Sequence, residues 1–247
     1  MKYFSLFGYS KPVIGMLHLK KDSSMGMLER AQRETLCYLN SGVEAILVEN
    51  YFGSTSDCEI VLQWLQRERS EAIYGVNILG NMGESFRLCQ KYDARFIQID
   101  SVCGHLNPIA DATFVFALIE LRQNFDGVVL GGVRFKYQPV LSGRTIEQNL
   151  LLGMERCDAI VVTGDGTGRA TPVKKVRDFR RIIEHFPLVI GAGVTQDTIS
   201  ETESLCDGKF VGSYFKTNQR DIGDVEPEFV QAFMTKKHQC ETMFRKD

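Results

Sequence analysis

Short apolar runs alternate along this chain with segments in which apolar residues recur every three or four positions. The first run spans residues 12–18. After a polar loop, Leu28, Ala31, Thr35 and Leu39 keep helical spacing. Residues 44–50 form the second run, and Ile60, Val61, Trp64 and Leu65 mark one helix face behind it. The third run, 73–79, precedes a helix expected from about Glu84 to Tyr92. The fourth, 95–100, precedes residues 109–121, which are apolar nearly all round and predict a helix buried on more than one side. The fifth run, 127–130, extends into 133–136 across Gly131-Gly132, a pair that predicts a bulge or a strand end. Thr145 and Gln148 have capping-box spacing ahead of Ile146, Leu150, Leu151 and Met154. The sixth run, 158–163, leads through Gly164-Asp165-Gly166-Thr167-Gly168 to Thr171-Pro172, read as N-cap and first-turn proline of a helix carrying Val173, Val176, Phe179, Ile182 and Ile183. The seventh run begins at Leu188 and ends at Gly191-Ala192-Gly193, with Thr195 placed to cap the next helix. Phe210-Val211-Gly212-Ser213 is the eighth, and Phe229, Val230, Phe233 and Met234 lie on a closing helix.

Eight strand–helix alternations in 247 residues have the count and the length of a (β/α)8 TIM barrel, for which about 250 residues is typical. The reading is one domain over residues 1–247. A doubly wound open sheet also alternates, but it ordinarily places its phosphate-binding glycines after the first strand. Here the first strand is followed by His18-Leu-Lys-Lys-Asp-Ser-Ser, and the glycines gather after strands six to eight, close to where barrels hold phosphate.

Composition narrows the partners. The chain is 44% apolar and 24% charged, with formal net charge -2 and a sequence pI of about 6.1. No basic footprint for a nucleic-acid polymer is present, which leaves a nucleotide open as substrate. Seven cysteines are scattered and never spaced Cys-x-x-Cys, as expected of buried free thiols in a reducing compartment. The first ten residues are too short and too polar for a signal peptide, and no membrane span is expected. These features predict a cytoplasmic protein.

In a barrel, residues at the C-terminal strand ends face the active-site mouth. That rule selects His18, Glu49, Asn50, Asn77, Asp100, Lys136 and Thr163. Glu49 and Asp100 are the candidates for general acid and base, because carboxylates in a partly dry mouth have raised pKa values. Lys136 would neutralise a developing oxyanion or form a Schiff base, or else serve in a salt bridge. His18, Asn50 and Asn77 would bind substrate hydroxyls or hold loops. Gly164, Asp165, Gly166, Thr167 and Gly168, with Gly191, Gly193, Val194, Gly212, Ser213 and Lys216, form the expected anion cradle: backbone N–H groups, hydroxyls and one ammonium. His105, His185 and His238 have no metal-ligand spacing, so neither metal nor cofactor is expected.

Six motifs in register resemble the BtpA/SgcQ family: Val13-Ile-Gly-Met-Leu-His-Leu19, Gly42-Val-Glu-Ala-Ile-Leu-Val-Glu-Asn50, Gly75-Val-Asn-Ile-Leu79, Val161-Val-Thr-Gly-Asp-Gly-Thr-Gly168, Gly191-Ala-Gly-Val-Thr195 and Val211-Gly-Ser-Tyr-Phe-Lys216. The resemblance runs from about residue 12 to 234 and implies a ribulose-phosphate-binding-type barrel. It also implies a link to sugar or nucleoside metabolism, or to photosystem I accumulation. The chain departs from the pattern at Lys20–Ser24, Asn81–Gly83 and Phe135–Tyr137, so the phosphate half transfers better than the catalytic half.

The expected function is an enzyme for a small phosphorylated metabolite, a sugar phosphate or nucleoside phosphate, with lyase, isomerase, aldolase or glycosyl-cleaving chemistry. The alternative is a non-catalytic assembly or regulatory factor that keeps the barrel. A homo-oligomer whose mouth is completed by a neighbouring subunit is a third expectation.

Overall fold

In the computed structural model, which describes residues 1–21 and 25–244, parallel strands close into a barrel in chain order. They are β1 (Val13–Leu17), β2 (Ala45–Glu49), β3 (Tyr74–Asn77), β4 (Phe96–Cys103), β5 (Val128–Val133), β6 (Ala159–Val162), β7 (Leu188–Ile190) and β8 (Gly208–Val211). The helices are α1 (Lys2–Phe7), α2 (Met27–Asn40), α3 (Thr55–Glu68), α4 (Met82–Lys91), α5 (Pro108–Gln123), α6 (Ile146–Arg156), α7 (Val173–Ile183), α8 (Gln196–Thr202) and α9 (Pro227–Phe244). This is the (β/α)8 TIM barrel.

Strands buried on both faces read as continuous apolar runs, and here they separate two cores. Ile14, Met16, Leu47, Phe96, Leu130 and Phe210 fill the barrel interior. Ile46, Val48, Ile97, Val129 and Val162 face outward against the helices. Phe96 occupies space that Gly75 leaves open, since a Cβ on Gly75 would lie 2.5 Å from its ring. Helix α1, absent from the reading above, seals the N-terminal end. Tyr3 and Phe7 are buried in the interior cluster, Phe7 meets Phe96 at 5.6 Å between ring centroids, and the Tyr3 hydroxyl donates to the Asp207 carbonyl at 2.6 Å. The opposite end stays open.

Three expectations change. Of the bulge or strand end expected at Gly131-Gly132, the strand end does not occur, since β5 runs through both glycines, while an irregularity of pairing does fall there. The reason lies in β4, whose register against β5 shifts between Ile99 and Cys103. There the Asp100 carbonyl presses so close that a Cβ on Gly132 would sit 1.8 Å away. Thr171 does not cap α7: its hydroxyl donates to the Ala192 carbonyl at 3.0 Å, and Pro172 precedes the helix without a side-chain cap. Helix α5 is not buried all round. Ile109, Phe116 and Ile119 are 85%, 64% and 55% exposed, while Leu118 and Asp111 face the barrel. The expected departures at 20–24 fall partly on residues 22–24, outside the described residues. The capping box at Thr145–Gln148 forms as the spacing predicts, and Thr195 caps α8 as expected, in a box with Thr198.

Candidate functional site at the barrel mouth

Beyond the interior core, β2 and β3 end in polar residues, Glu49 and Asn77, and β4 carries Asp100 within reach of both. Glu49 and Asn77 are paired in register, so both side chains point to the axis. The Asn77 amide donates to Glu49 Oε1 at 2.9 Å and to Asp100 Oδ1 at 3.1 Å, and Gln98 Nε2 donates to the same Asp100 oxygen at 3.3 Å. One amide group therefore holds two carboxylates together. Glu49 is 6% exposed. Burial pushes its pKa up to about 7, reinforced by the Asp100 charge and opposed by Lys136, the Asn77 bond and Lys216. Burial also raises Asp100, against the Asn77 bond, Lys136 and Gln98. The pair thus holds a proton near neutral pH that an isolated carboxyl would have lost.

These carboxylates and the glycine rim face the same cavity of about 170 Å3. Gly168, Gly191, Gly193, Val194, Gly212 and Ser213 line its other side. Gly193 adopts φ +65°, and a Cβ there would lie 2.1 Å from the Arg169 carbonyl, so only glycine lets the β6–α7 and β7–α8 loops touch. Gly212 leads directly into the 3-10 turn Ser213–Phe215, whose opening N–H groups have no earlier carbonyl to pair with. Lys136 and Thr167 also line the cavity. The Lys136 ammonium donates to Thr167 Oγ1 at 3.1 Å, and its backbone N–H donates to Thr163 Oγ1 at 2.8 Å.

Of the other selected residues, His18 lines the cavity and the rest stand behind this surface. Asn77 lies beneath the carboxylates. Asn50 Oδ1 accepts from the Leu79 N–H at 2.7 Å, which ties the β2 and β3 loops. A Cβ on Gly164 would meet the Ala170 carbonyl at 2.8 Å, and one on Gly166 would meet the Tyr137 hydroxyl at 3.0 Å; both glycines shape the loop. Asp165 is exposed. Lys216 is 2% exposed, its ammonium 2.9 Å from His18 Nδ1 and 3.2 Å from the Asp221 carbonyl.

Tyr51, Tyr137 and Gln98 line the cavity although the strand-end rule did not select them. The Tyr137 hydroxyl accepts from the Thr167 N–H at 2.8 Å. The Tyr51 hydroxyl donates to Asp221 Oδ2 at 3.0 Å and lies 3.5 Å from Thr167 Oγ1. Each tyrosine directly follows a selected residue, Asn50 or Lys136, so extending the strand-end rule by one residue would have found both. Among the described residues, no three His, Cys, Asp or Glu side chains gather as metal ligands. All seven cysteines are free.

A model of the BtpA family matches residues 9–239. An uncharacterized protein of Thermococcus kodakarensis is 27% identical over 243 residues, covering 88% of this chain and 92% of that one. Photosystem I biogenesis protein BtpA of Synechocystis is 24% identical over 262 residues, covering 95% and 90%. Among solved structures, thiamine phosphate pyrophosphorylase from Pyrococcus furiosus superposes with TM-score 0.60 at 14% identity, covering 94% of this chain and 98% of that one. Phosphoribosyl anthranilate isomerase from Thermococcus kodakaraensis does so with TM-score 0.59 at 17% identity, covering 92% and 98%. At these identities the structures establish a shared fold. No helix among the described residues is long and apolar enough to cross a membrane.

Proposed function

The chain belongs to the BtpA family, and from that premise we propose that it is an enzyme acting on a small phosphorylated metabolite, a sugar phosphate or nucleoside phosphate, at the C-terminal mouth of the barrel. The observation that carries this reading is the division of one cavity into two chemistries. A glycine-rich wall from the loops after β6, β7 and β8 suits a phosphate, and a carboxylate pair joined by Asn77, Glu49 buried and Asp100 half-buried, stands across from it. Glu49, at about 7, is poised to give or take a proton near neutral pH. Asp100 sets the local charge, and Lys136 supplies a cation for a developing oxyanion. Proton transfer next to an oxyanion is shared by lyase, isomerase and aldolase chemistry, and protonation of a leaving oxygen by glycosyl cleavage. Superposable barrels include enzymes whose names carry phosphorylated compounds, which supports the same reading.

Thermal shift with D-ribose 5-phosphate against D-ribose tests it. The phosphorylated sugar should raise the Tm and the free sugar should not; equal, null responses to both and to inorganic phosphate would refute phosphate anchoring. Untargeted mass spectrometry of small molecules copurifying with the protein then narrows the metabolite.

A second reading, a non-catalytic assembly factor, draws on the name of the Synechocystis relative and on the exposed apolar residues of α5. The two readings separate cleanly in cells. Glu49→Gln abolishes the role of an enzyme, whereas Phe116→Glu abolishes that of an assembly factor.

A further inference from the structure

We propose that Lys216 is a positioning residue that holds His18 in the tautomer protonated on Nε2, so that the mouth offers its ligand a hydrogen-bond donor at this point. The inference deepens the phosphorylated-metabolite reading and rests on it for its ligand class. Lys216 Nζ carries only donors when charged. It lies 2.9 Å from His18 Nδ1 and 3.2 Å from the Asp221 carbonyl. His18 Nδ1 is itself 3.4 Å from that carbonyl, a contact that would require a proton on Nδ1. The two arrangements exclude each other, because a proton on Nδ1 would point at the lysine donors. The shorter contact decides: Nδ1 accepts from Lys216, and the ring proton goes to Nε2.

The ring is fixed as well as polarised. Tyr51 stacks on it at 4.8 Å between centroids with 29° between planes, and Phe52 meets it edge-on at 6.2 Å. Turning the ring over would place a carbon against the Lys216 ammonium. The hydrogen bonds that His18 makes among the described residues run to Nδ1, and the ring lines the cavity. Burial and the Lys216 charge both hold the imidazole well below its ordinary pKa, with the Asp221 carbonyl opposing and Lys136 adding to the effect. Burial lowers Lys216 in turn, while Glu34, Asp221 and Glu49 pull it back up.

A neutral imidazole N–H is a donor without a charge. It suits a carbonyl oxygen that gains negative charge as a neighbouring carbon is deprotonated. His18 stands beside the phosphate wall, its Cε1 3.3 Å from where a Gly212 Cβ would be, and it shares the cavity with Glu49 and Asp100. The ligand class is therefore a phosphorylated metabolite bearing a carbonyl oxygen on the His18 side, with Glu49 as the proton acceptor or donor.

The test is the nitrogen NMR spectrum of ligand-free protein labelled with 15N-histidine, His18 being assigned by its loss in His18→Gln. The expected spectrum has a protonated Nε2 and an unprotonated Nδ1, unchanged from pH 8 to 5.5. In Lys216→Met, Nδ1 is released to donate to the Asp221 carbonyl and the tautomer inverts; Lys216→Arg restores it. A wild-type ring protonated on Nδ1, or charged at pH 7, overturns the proposal even if Lys216→Met fails to fold. A Lys216→Met spectrum identical to wild type overturns the role of Lys216. Calorimetric titration with dihydroxyacetone phosphate and glycerol 3-phosphate reads the ligand class: the carbonyl compound should bind up to about tenfold tighter, or 1.4 kcal/mol, the upper end for one neutral hydrogen bond, with the preference lost in Lys216→Met. Equal binding refutes the carbonyl assignment. If neither binds, phosphate anchoring fails, and the tautomer is still decided by the ligand-free spectrum.

Discussion

Replacing Glu49 by Gln isolates the cost of the carboxylate pair. The Glu49 pKa rises from 4.5 to about 7 in the folded protein because the group is buried beside Asp100. A group raised in this way favours folding most fully below its unfolded value near 4.5, and that contribution is lost as pH climbs through about 7. At 1.36 kcal/mol per pH unit, ionised Glu49 therefore costs roughly 3 kcal/mol at pH 8.5 and almost nothing at pH 4.5. Glutamine keeps the shape and the oxygen that accepts from Asn77 at 2.9 Å, but it never ionises. Glu49→Gln should thus match wild type near pH 4.5 and exceed it by up to about 3 kcal/mol at pH 8.5, roughly 6–12 °C in Tm for a chain of this size. Paired thermal melts at the two pH values measure the difference, in which the titrations common to both proteins cancel. A stability gap that stays constant between pH 4.5 and 8.5 would refute the claim that Glu49 is buried as an unstable carboxylate.

Three further outcomes are expected. Gly132→Ala places a methyl group against the Asp100 carbonyl, 1.8 Å from its ideal position, and should cost about 3 kcal/mol or more in urea unfolding; a near-neutral result would contradict the close packing of β4 on β5. Ser213→Asp puts a negative charge at the glycine wall and should abolish the thermal shift with D-ribose 5-phosphate while leaving the apo Tm within a few degrees. Phe116→Glu, on the exposed face of α5, should change unfolding free energy by no more than about 0.5 kcal/mol, and a large loss would mean that this face is covered.

The barrel was legible because each of its layers leaves a periodic trace. Strands buried on both faces give unbroken apolar runs, and one-sided helices give a repeat near 3.6. The convergence of Glu49, Asn77 and Asp100 was legible for a related reason: they lie within strands, where alternation fixes which way each side chain points. Lys216 lies beyond the end of β8, past the 3-10 turn Ser213–Phe215, where no alternation applies. Its turn away from the glycine rim toward His18 could not be read from spacing. The apolar composition of α5 implied burial on several sides, whereas the barrel covers one face and Ile109, Phe116 and Ile119 stand exposed; composition alone does not say how much of a helix its neighbours cover. The continuation of β5 through Gly131-Gly132 depends on a neighbouring strand's carbonyl, a contact between residues distant in the chain. Helix α1 is six residues long, too short for a repeat to stand out, and its place under the barrel is decided by the hole that the interior leaves for Tyr3 and Phe7.

Asn77 carries a consequence for how this scaffold can diverge. The carboxylate layer comes from β2 to β4 and the glycine wall from the loops after β6 to β8, so the two halves are encoded in separate stretches of chain. On the proposed function, substitutions that remodel the first stretch would exchange one reaction for another while the second kept its grip on the same handle. Within the first stretch, however, Glu49 and Asp100 are leashed to a single amide. Losing that amide strands the buried Glu49 oxygen and leaves Asp100 to the longer Gln98 bond alone, so new chemistry in this scaffold has to arise around Asn77 before it can arise at Asn77.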